Sequence, residues 1–435
     1  MDLKNKSFKS YIFTGIKETC SGCGTCVQLC KKDALSMQPD SEGFLFPVVD
    51  ESKCIRCGLC DSRCPEVRNV SNKKENTQHC YVATTSDKKY YKESASIGIC
   101  TMLSEYVLSL GGLVYGCYLD EDSWTAYHTK IEHIEDLDKI RNSKYLQSNT
   151  KQTYSQVKNE LNDGRTILYI GTPCQIAGLK SFLNKGYENL YTIDIICHGV
   201  FSPKLMLLEA NYWKRQFNCE IKNFRFRSKR IYKHVNGGMV NFDLYRNGKK
   251  CEHIERYAAS SPSYFCYAYS GDGNNHNLRL ACYSCKFKEK TRYADITVGD
   301  PWGIMGGGKN GLQLDKQLTP KNVIRSLYSA NTLKGKKLID IVNQKLHYQE
   351  LPTEQAFVQD AVCYKIRPIP TQREILYSSL NKMEYGELVE SIFQCNLPMN
   401  HKTFNKWYWT NEIKNHIKRI FFFYKYYKKW KENKL

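Results

Sequence analysis

Apolar residues recur at helical spacing over residues 97–110, where Ile99, Leu103, Val107 and Leu110 fall on one buried side. The next stretch, GGLVYGCYL from Gly111, is a glycine turn feeding a strand. The pattern then alternates. A strand over 166–170, a helix over 176–184 and a strand over 191–196 predict an α/β layer, while residues 224–244 predict hairpins. Residues 71–87 break the pattern: they open with SNKKENTQ, polar and without an apolar period, and read as a connector. Helical spacing returns over 401–435, where Ile413, Ile417, Ile420, Tyr424 and Tyr427 share one face. Lys414, Lys418, Lys425 and Lys429 lie opposite that face or along its borders, although Phe422 interrupts the polar side.

Eight cysteines near the start change this picture. Cys20, Cys23, Cys26 and Cys30, then Cys54, Cys57, Cys60 and Cys64 followed by Pro65, repeat a C-x2-C-x2-C-x3-C comb. Such combs wrap two cubane iron–sulfur clusters. Short turns bring three thiolates to one cube and leave the fourth for the other. Cys20, Cys23, Cys26 and Cys64 therefore serve one cluster, and Cys54, Cys57, Cys60 and Cys30 the second. A pair of structural zinc sites is the competing reading, but zinc requires neither the third cysteine of each comb nor the proline. Gly22, Gly24 and Gly58 lie between the ligands, where bare backbone can approach sulfide. Residues 31–53 are expected to hold a short helix and a hairpin between two pseudo-repeats.

With 435 residues the chain is too long for a ferredoxin alone. The expected class is α+β, with a dicluster 4Fe-4S ferredoxin module over 1–70, a linker over 71–92, a mixed α/β oxidoreductase body over 93–345, and a basic, aromatic helical extension over 346–435. The formal charge of +20 invites a nucleic-acid reading, but no zinc finger, basic zipper or helix-turn-helix signal accompanies it. Attraction of acidic redox partners, anionic cofactors or an anionic membrane is the better use of the charge. The last 35 residues carry ten Lys or Arg against two Glu among many aromatics, which suits either peripheral membrane contact or docking on protein. No apolar run approaches a spanning helix and no apolar signal precedes Cys20, so a cytoplasmic location is expected. Twenty cysteines in that setting point to metal or catalysis and away from disulfides.

Four of the remaining cysteines stand in turn-like settings: Cys174 in GTPCQ after one strand, Cys197 in CHG after another, and Cys282 and Cys285 in CYSC. Loops from adjacent strand ends can bring four thiolates together for a third 4Fe-4S cluster, while spacing alone leaves a zinc site or ordinary core thiols open. Cys100, Cys117, Cys219, Cys266, Cys363 and Cys395 read as small buried hydrophobes.

The ordered set of Ser94 to Gly98, KYLQS at 144–148, GTPCQ at 171–175, CHGV at 197–200, CYSC at 282–285 and ADITVGDPWGI at 294–304 resembles the coenzyme F420 hydrogenase/dehydrogenase beta-subunit family, in a bacterial member. The resemblance spans about residues 19–345 and takes in NTLKG at 331–335. It implies a body carrying FAD and a cluster on Cys174, Cys197, Cys282 and Cys285. Arg325 and the glycine-rich GGGKNGLQ from Gly306 depart from the family pattern, which touches the cofactor or substrate end rather than the cluster ligands.

No G-x-G-x-x-G fingerprint supports a standard dinucleotide fold, so FAD rests on the resemblance and on local groups. Ser94, Ser96 and Gly98 precede a helix and suit a phosphate, or else an ordinary cap. Lys144, Gln147 and Ser148 offer a cation and two hydrogen-bonding groups, and Thr172, Asp300 and Trp302 complete the candidate cofactor set. His198, next to Cys197, is the candidate catalytic residue as a proton shuttle, with support of the cluster as the alternative. Arg225, Arg227, Lys229 and Arg230 form a basic cluster for an anionic ligand or a charged edge. The expected function is an iron–sulfur flavoprotein oxidoreductase linking a ferredoxin-like one-electron carrier to a two-electron substrate. The alternative is a non-catalytic electron-transfer subunit docking on a separate redox enzyme.

Overall fold

Valine, isoleucine, leucine and tyrosine crowd the central strands because a parallel sheet covered on both faces has little place for alternating polar residues. A computed structural model describes residues 9–68, 78–228, 239–257, 261–268, 275–302, 304, 312–319, 323–358 and 366–391. Fourteen strands occur among them: β1 (Leu35–Pro39), β2 (Leu45–Val49), β3 (His79–Thr84), β4 (Leu113–Asp120), β5 (Thr125–Ile131), β6 (Ser148–Asn149), β7 (Ile167–Gly171), β8 (Leu190–Ile195), β9 (Glu220–Ser228), β10 (Met239–Arg246), β11 (Lys249–Tyr257), β12 (Ile296–Gly299), β13 (Ser326–Ala330) and β14 (His347–Leu351). Nine make one mixed sheet in the order β14-β3-β13-β12-β8-β7-β4-β5-β6. Its centre, β12-β8-β7-β4, is parallel. A separate antiparallel sheet runs β11-β10-β9.

Alternation along the central strands sorts side chains to opposite faces. Val114 and Leu168 pack with Ile99, Leu103 and Val107 of the helix Ile99–Ser109. Leu113, Tyr115, Ile167 and Tyr169 pack instead with Tyr154, Val157, Ile176 and Leu179 from the helices Thr153–Asn162 and Pro173–Leu183. The architecture is α+β: a ferredoxin-like N-terminal module, a mixed α/β core, and C-terminal helices, Thr371–Ser379 and Tyr385–Ser391, as an extension. The helix and strands read from periodicity at 97–110, 166–170, 176–184 and 191–196 occur within a few residues of those limits.

Three expectations need correction. The connector over 71–87 contains β3, which pairs with both β13 and β14 inside the large sheet. Its apolar run CYVA is short and follows a polar stretch, so local composition hid it. The same pairing carries the sheet to Leu351, past the boundary drawn at 345. Between residues 31 and 53 only the hairpin β1-β2 forms, and the short helix precedes it at Thr25–Leu29.

The N-terminal module also proves to be seated in the body. Phe44 and Phe46 of the hairpin share a core with Leu205, Leu376, Tyr377, Tyr385 and Leu388. Arg373, 4% exposed, makes a two-pronged ion pair with Glu42. Ser181 Oγ donates to the Arg63 carbonyl at 2.7 Å, and Lys286 Nζ to that of Glu66 at 2.6 Å. Among the described residues no helix is long and apolar enough to cross a membrane. The amphipathic reading of 401–435 lies outside the described residues, as do Lys229, Arg230, Cys363, Cys395 and most of the glycine-rich loop.

Candidate redox centre

Ligands of parallel α/β sheets gather beyond the carboxyl ends of the strands. Here β7 ends at Gly171 and leads to Cys174, β8 ends at Ile195 and leads to Cys197 and His198, and β12 ends at Gly299 and leads to Asp300 and Trp302. A cavity of about 650 Å³ opens there. Cys174, Cys197, Cys282 and Cys285 line it, together with Ser94, Ser96, Gly98, Lys144, Gln147, Ser148, Thr172, Asp300, Trp302 and His198. All the residues picked out for this cofactor and its chemistry thus face one volume of a size usual for ligand pockets.

The four remote cysteines are mutual neighbours. Burial pushes the Cys174 thiol well up, and Cys285, Cys197 and also Cys23 add to the shift. Cys285 is raised by burial and then by Cys282 and Cys197, while Cys197 is pushed up to about 11 by burial and by Cys282. Four half-buried thiols that resist ionisation one beside another suit a metal cluster, whose positive iron offsets the charge of the thiolates. Among the described residues no three His, Cys, Asp or Glu side chains close round a single ion. The donor set, soft and all sulfur, fits a cubane better than a single-ion site of mixed ligands.

In the N-terminal module the two combs form matched turns. Gly24 and Gly58 take left-handed conformations, φ 78° and 73°, and each opens the short helix that carries the next cysteines. Cys64 is pushed up by burial and by Cys23 and Cys20, and Cys26 by burial and by Cys23, Cys20, Cys64 and Cys60. Cys60, raised to about 11 chiefly by burial, feels Cys57 and Cys54. The last cysteine of the second comb thus lies beside the first three of the first. Cys23 is buried and Cys57 exposed.

Cys23 also faces the remote centre. A Cβ placed on Gly178 would lie 3.1 Å from the Cys23 Cβ, so the helix that starts beside Cys174 packs directly on the inner comb. The Tyr154 hydroxyl sits 2.9 Å from the Cys23 carbonyl and 2.8 Å from that of Gln175, and Thr150 Oγ1 donates to the Cys23 carbonyl at 3.1 Å. Arg279 Nε donates to the Cys20 carbonyl at 2.7 Å and its Nη1 to that of Leu45 at 3.0 Å.

At the other end of the cavity Gly98, φ 87°, opens the helix Ile99–Ser109, which has no side-chain cap. The serines are occupied elsewhere: Ser96 Oγ donates to the Arg325 carbonyl, and Ser94 Oγ stands 3.4 Å from Thr101 Oγ1. The helix amides therefore remain as the anion-binding groups there. Arg325 is buried and reaches the carbonyls of Leu318 and Thr319. Gln147 spends its amide on the Leu45 backbone, accepting from its N–H at 2.8 Å, and pins the module to the body. Ser148 Oγ accepts from Gln175 Nε2 at 2.9 Å and lies near His128. Thr172 Oγ1 lies 3.1 Å from Cys174 Sγ. Burial lowers Lys144 to about 8, a poise at which its ammonium is readily discharged. Asp300 pairs with buried Arg227; desolvation opposes the arginine charge and the carboxylate more than restores it. Arg225 instead pairs with Asp138 at 2.8 Å, so the two arginines do not form one patch. Trp302 is 45% exposed at the rim.

Sequence reading missed His128, Arg279 and Lys288. His128 and Lys288 line the cavity, and Arg279 bridges the module and the body beside it. The lysines in KFKEK directly after CYSC were the available signal for the last of these.

Two thiol combs, one of them packed on the body, and a strand-end cavity lined by four more cysteines make up a candidate iron–sulfur redox site. Residues 164–354 match the family of C-terminal regions described as "Coenzyme F420 hydrogenase/dehydrogenase, beta subunit", and residues 19–67 match a 4Fe-4S dicluster domain. The chain is thus similar to coenzyme F420 hydrogenase/dehydrogenase beta subunits over residues 164–354 and to a 4Fe-4S dicluster domain over residues 19–67. It is 23% identical over 250 residues to the coenzyme F420-dependent sulfite reductase of Methanocaldococcus jannaschii, a match covering 52% of this chain and 38% of that protein. A solved structure of the F420-reducing NiFe hydrogenase complex from Methanosarcina barkeri overlaps 72% of this chain and 90% of the matched one, with 16% identity and a TM-score of 0.38, too distant to add to the reading.

Proposed function

We propose that the protein is an oxidoreductase that takes single electrons from an acidic, ferredoxin-like carrier at the exposed comb and delivers them in pairs to a substrate at the cavity. What carries this reading is the continuity from exposed Cys57, through buried Cys23 and its neighbour Cys174, to a cavity bordered by a helix N-terminus. Bound clusters relay one electron at a time, and a flavin in the cavity converts between one- and two-electron transfer. Cys20, Cys23, Cys26 and Cys64 hold the inner N-terminal cluster, Cys54, Cys57, Cys60 and Cys30 the outer one, and Cys174, Cys197, Cys282 and Cys285 the third.

The residues round the cavity have distinct tasks. The amides that follow Gly98 bind a phosphate of FAD, and Lys144 stands by as a cation or proton donor. His198, beside Cys197, moves protons between the reacting atoms and the solvent. Ser148 and Thr172 are oriented by Gln175, whose carboxamide spans both. The names of the relatives make the deazaflavin coenzyme F420 the first two-electron substrate to try, and also a rival occupant of the cavity itself.

Anaerobic purification followed by iron analysis and extraction of the bound coenzyme tests the proposal. About twelve irons per chain with FAD are expected. Eight irons would remove the third cluster, and a deazaflavin held without FAD would replace the flavin reading. His198→Gln should slow substrate reduction with iron and flavin unchanged. Loss of iron in that variant would make His198 a support of the cluster.

A further inference from the structure

We infer that Lys288 is the charge-compensating residue of the centre formed by Cys174, Cys197, Cys282 and Cys285, and that its ammonium sets the reduction potential of that centre. The inference rests on the third-cluster reading above. Lys288 is 4% exposed, and its Nζ has no hydrogen-bonding partner among the described residues. An ammonium withdrawn from water is disfavoured unless an anion lies beside it, and clustered thiolates would be that anion. Lys288 lines the same cavity as the four cysteines, and its backbone N–H donates to the Cys285 carbonyl at 3.3 Å, which ties it to the turn carrying two of them.

The other cations nearby are at least partly engaged, although Arg279 Nη2 has no hydrogen-bonding partner among the described residues. Arg292 pairs with Asp194 at 3.1 Å, both side chains fully buried, and Arg279 is bonded to the carbonyls of Cys20 and Leu45. A fixed positive charge next to a cluster favours the form with one more electron, so its removal makes the centre harder to reduce. No proton needs to move, because a cluster held by Cys174, Cys197, Cys282 and Cys285 would supply one-electron chemistry alone.

The test is a redox titration of the anaerobic holoprotein, followed by electron paramagnetic resonance, for wild type, Lys288→Gln and Lys288→Arg. Lys288→Gln should keep its iron and flavin and lower the reduced-to-oxidised ratio of one cluster at least tenfold at a fixed poise, about 59 mV for one electron. Lys288→Arg should stay near wild type. An unchanged potential in Lys288→Gln would overturn the inference. Flavin loss at unchanged potential would overturn it too, by making Lys288 an anchor for a cofactor phosphate. Loss of about four irons from both variants would show a packing role and also overturn it. A wild-type protein with only eight irons would sink the third cluster itself, an outcome visible before any variant is made.

Discussion

The two cysteine combs share one spacing and one turn geometry, yet they meet different surroundings. Cys23 lies buried against the helix Pro173–Leu183, with its carbonyl held by Thr150 and Tyr154. Cys57 stands exposed beside Ile55, which is 62% exposed. Identical cysteine spacing thus yields an inner and an outer comb, and the difference comes from the body packed on one of them. A relay needs that asymmetry: one end open to a carrier, the other shielded and close to the next centre.

Removing residues 1–68 breaks the comparison most severely. The body then loses the partners of Leu376, Tyr377, Arg373 and Arg279, so the truncated chain should be aggregated or lack a cooperative thermal transition. A folded, soluble body with flavin would show the module to be an independent appendage. Single cysteines sharpen the point. Cys23→Ser and Cys64→Ser should both abolish the inner cluster, with loss of about four irons and of electron flow to the cavity. Cys57→Ser should lose the outer cluster while a small chemical reductant still reduces the remaining ones. If Cys64→Ser gave the spectrum of Cys57→Ser, the crossed ligation would be wrong.

Smaller effects come from the joint and the cavity wall. Arg373→Met leaves the Glu42 carboxylate without its partner at the hairpin and should cost about 3–5 kcal/mol in denaturant unfolding, as for other broken buried pairs. An equal loss in Glu42→Gln/Arg373→Met would mean that packing rather than the pair matters. His128, 2% exposed, is lowered from 6.5 to about 4 by burial, with Lys144 adding a smaller push. The unfolded chain binds this proton first, so stability held above pH 6.5 is lost as pH falls through 4, by up to about 3 kcal/mol. His128→Gln should flatten that slope in pH-dependent melting. An unchanged slope would place the acid sensitivity elsewhere.

The combs were legible because cluster ligands obey local spacing, and the helix Ile99–Ser109 because burial imposes its period. Strand β3 was not legible: its six residues follow a polar stretch, and its partners β13 and β14 lie more than two hundred residues downstream. The candidate residues of the cavity were found as short motifs, but their tasks were not. Gln147 holds the backbone of Leu45, and Ser96 bonds the carbonyl of Arg325.

Residue type and spacing by themselves determined that this chain offers two thiolate combs, a strand-and-helix body and four further cysteines, two of them just after strands and two in a CYSC turn. Those properties depend on neighbours a few positions away, through turn geometry and the periods of helix and strand. Only the tertiary structure decided that Cys23 faces Cys174, that Arg373 reaches back to Glu42, and that Lys288 stands by the four thiols with no hydrogen-bonding partner among the described residues. Burial and charge pairing are sums over groups from distant parts of the chain, and their outcome exists only once those parts are packed together.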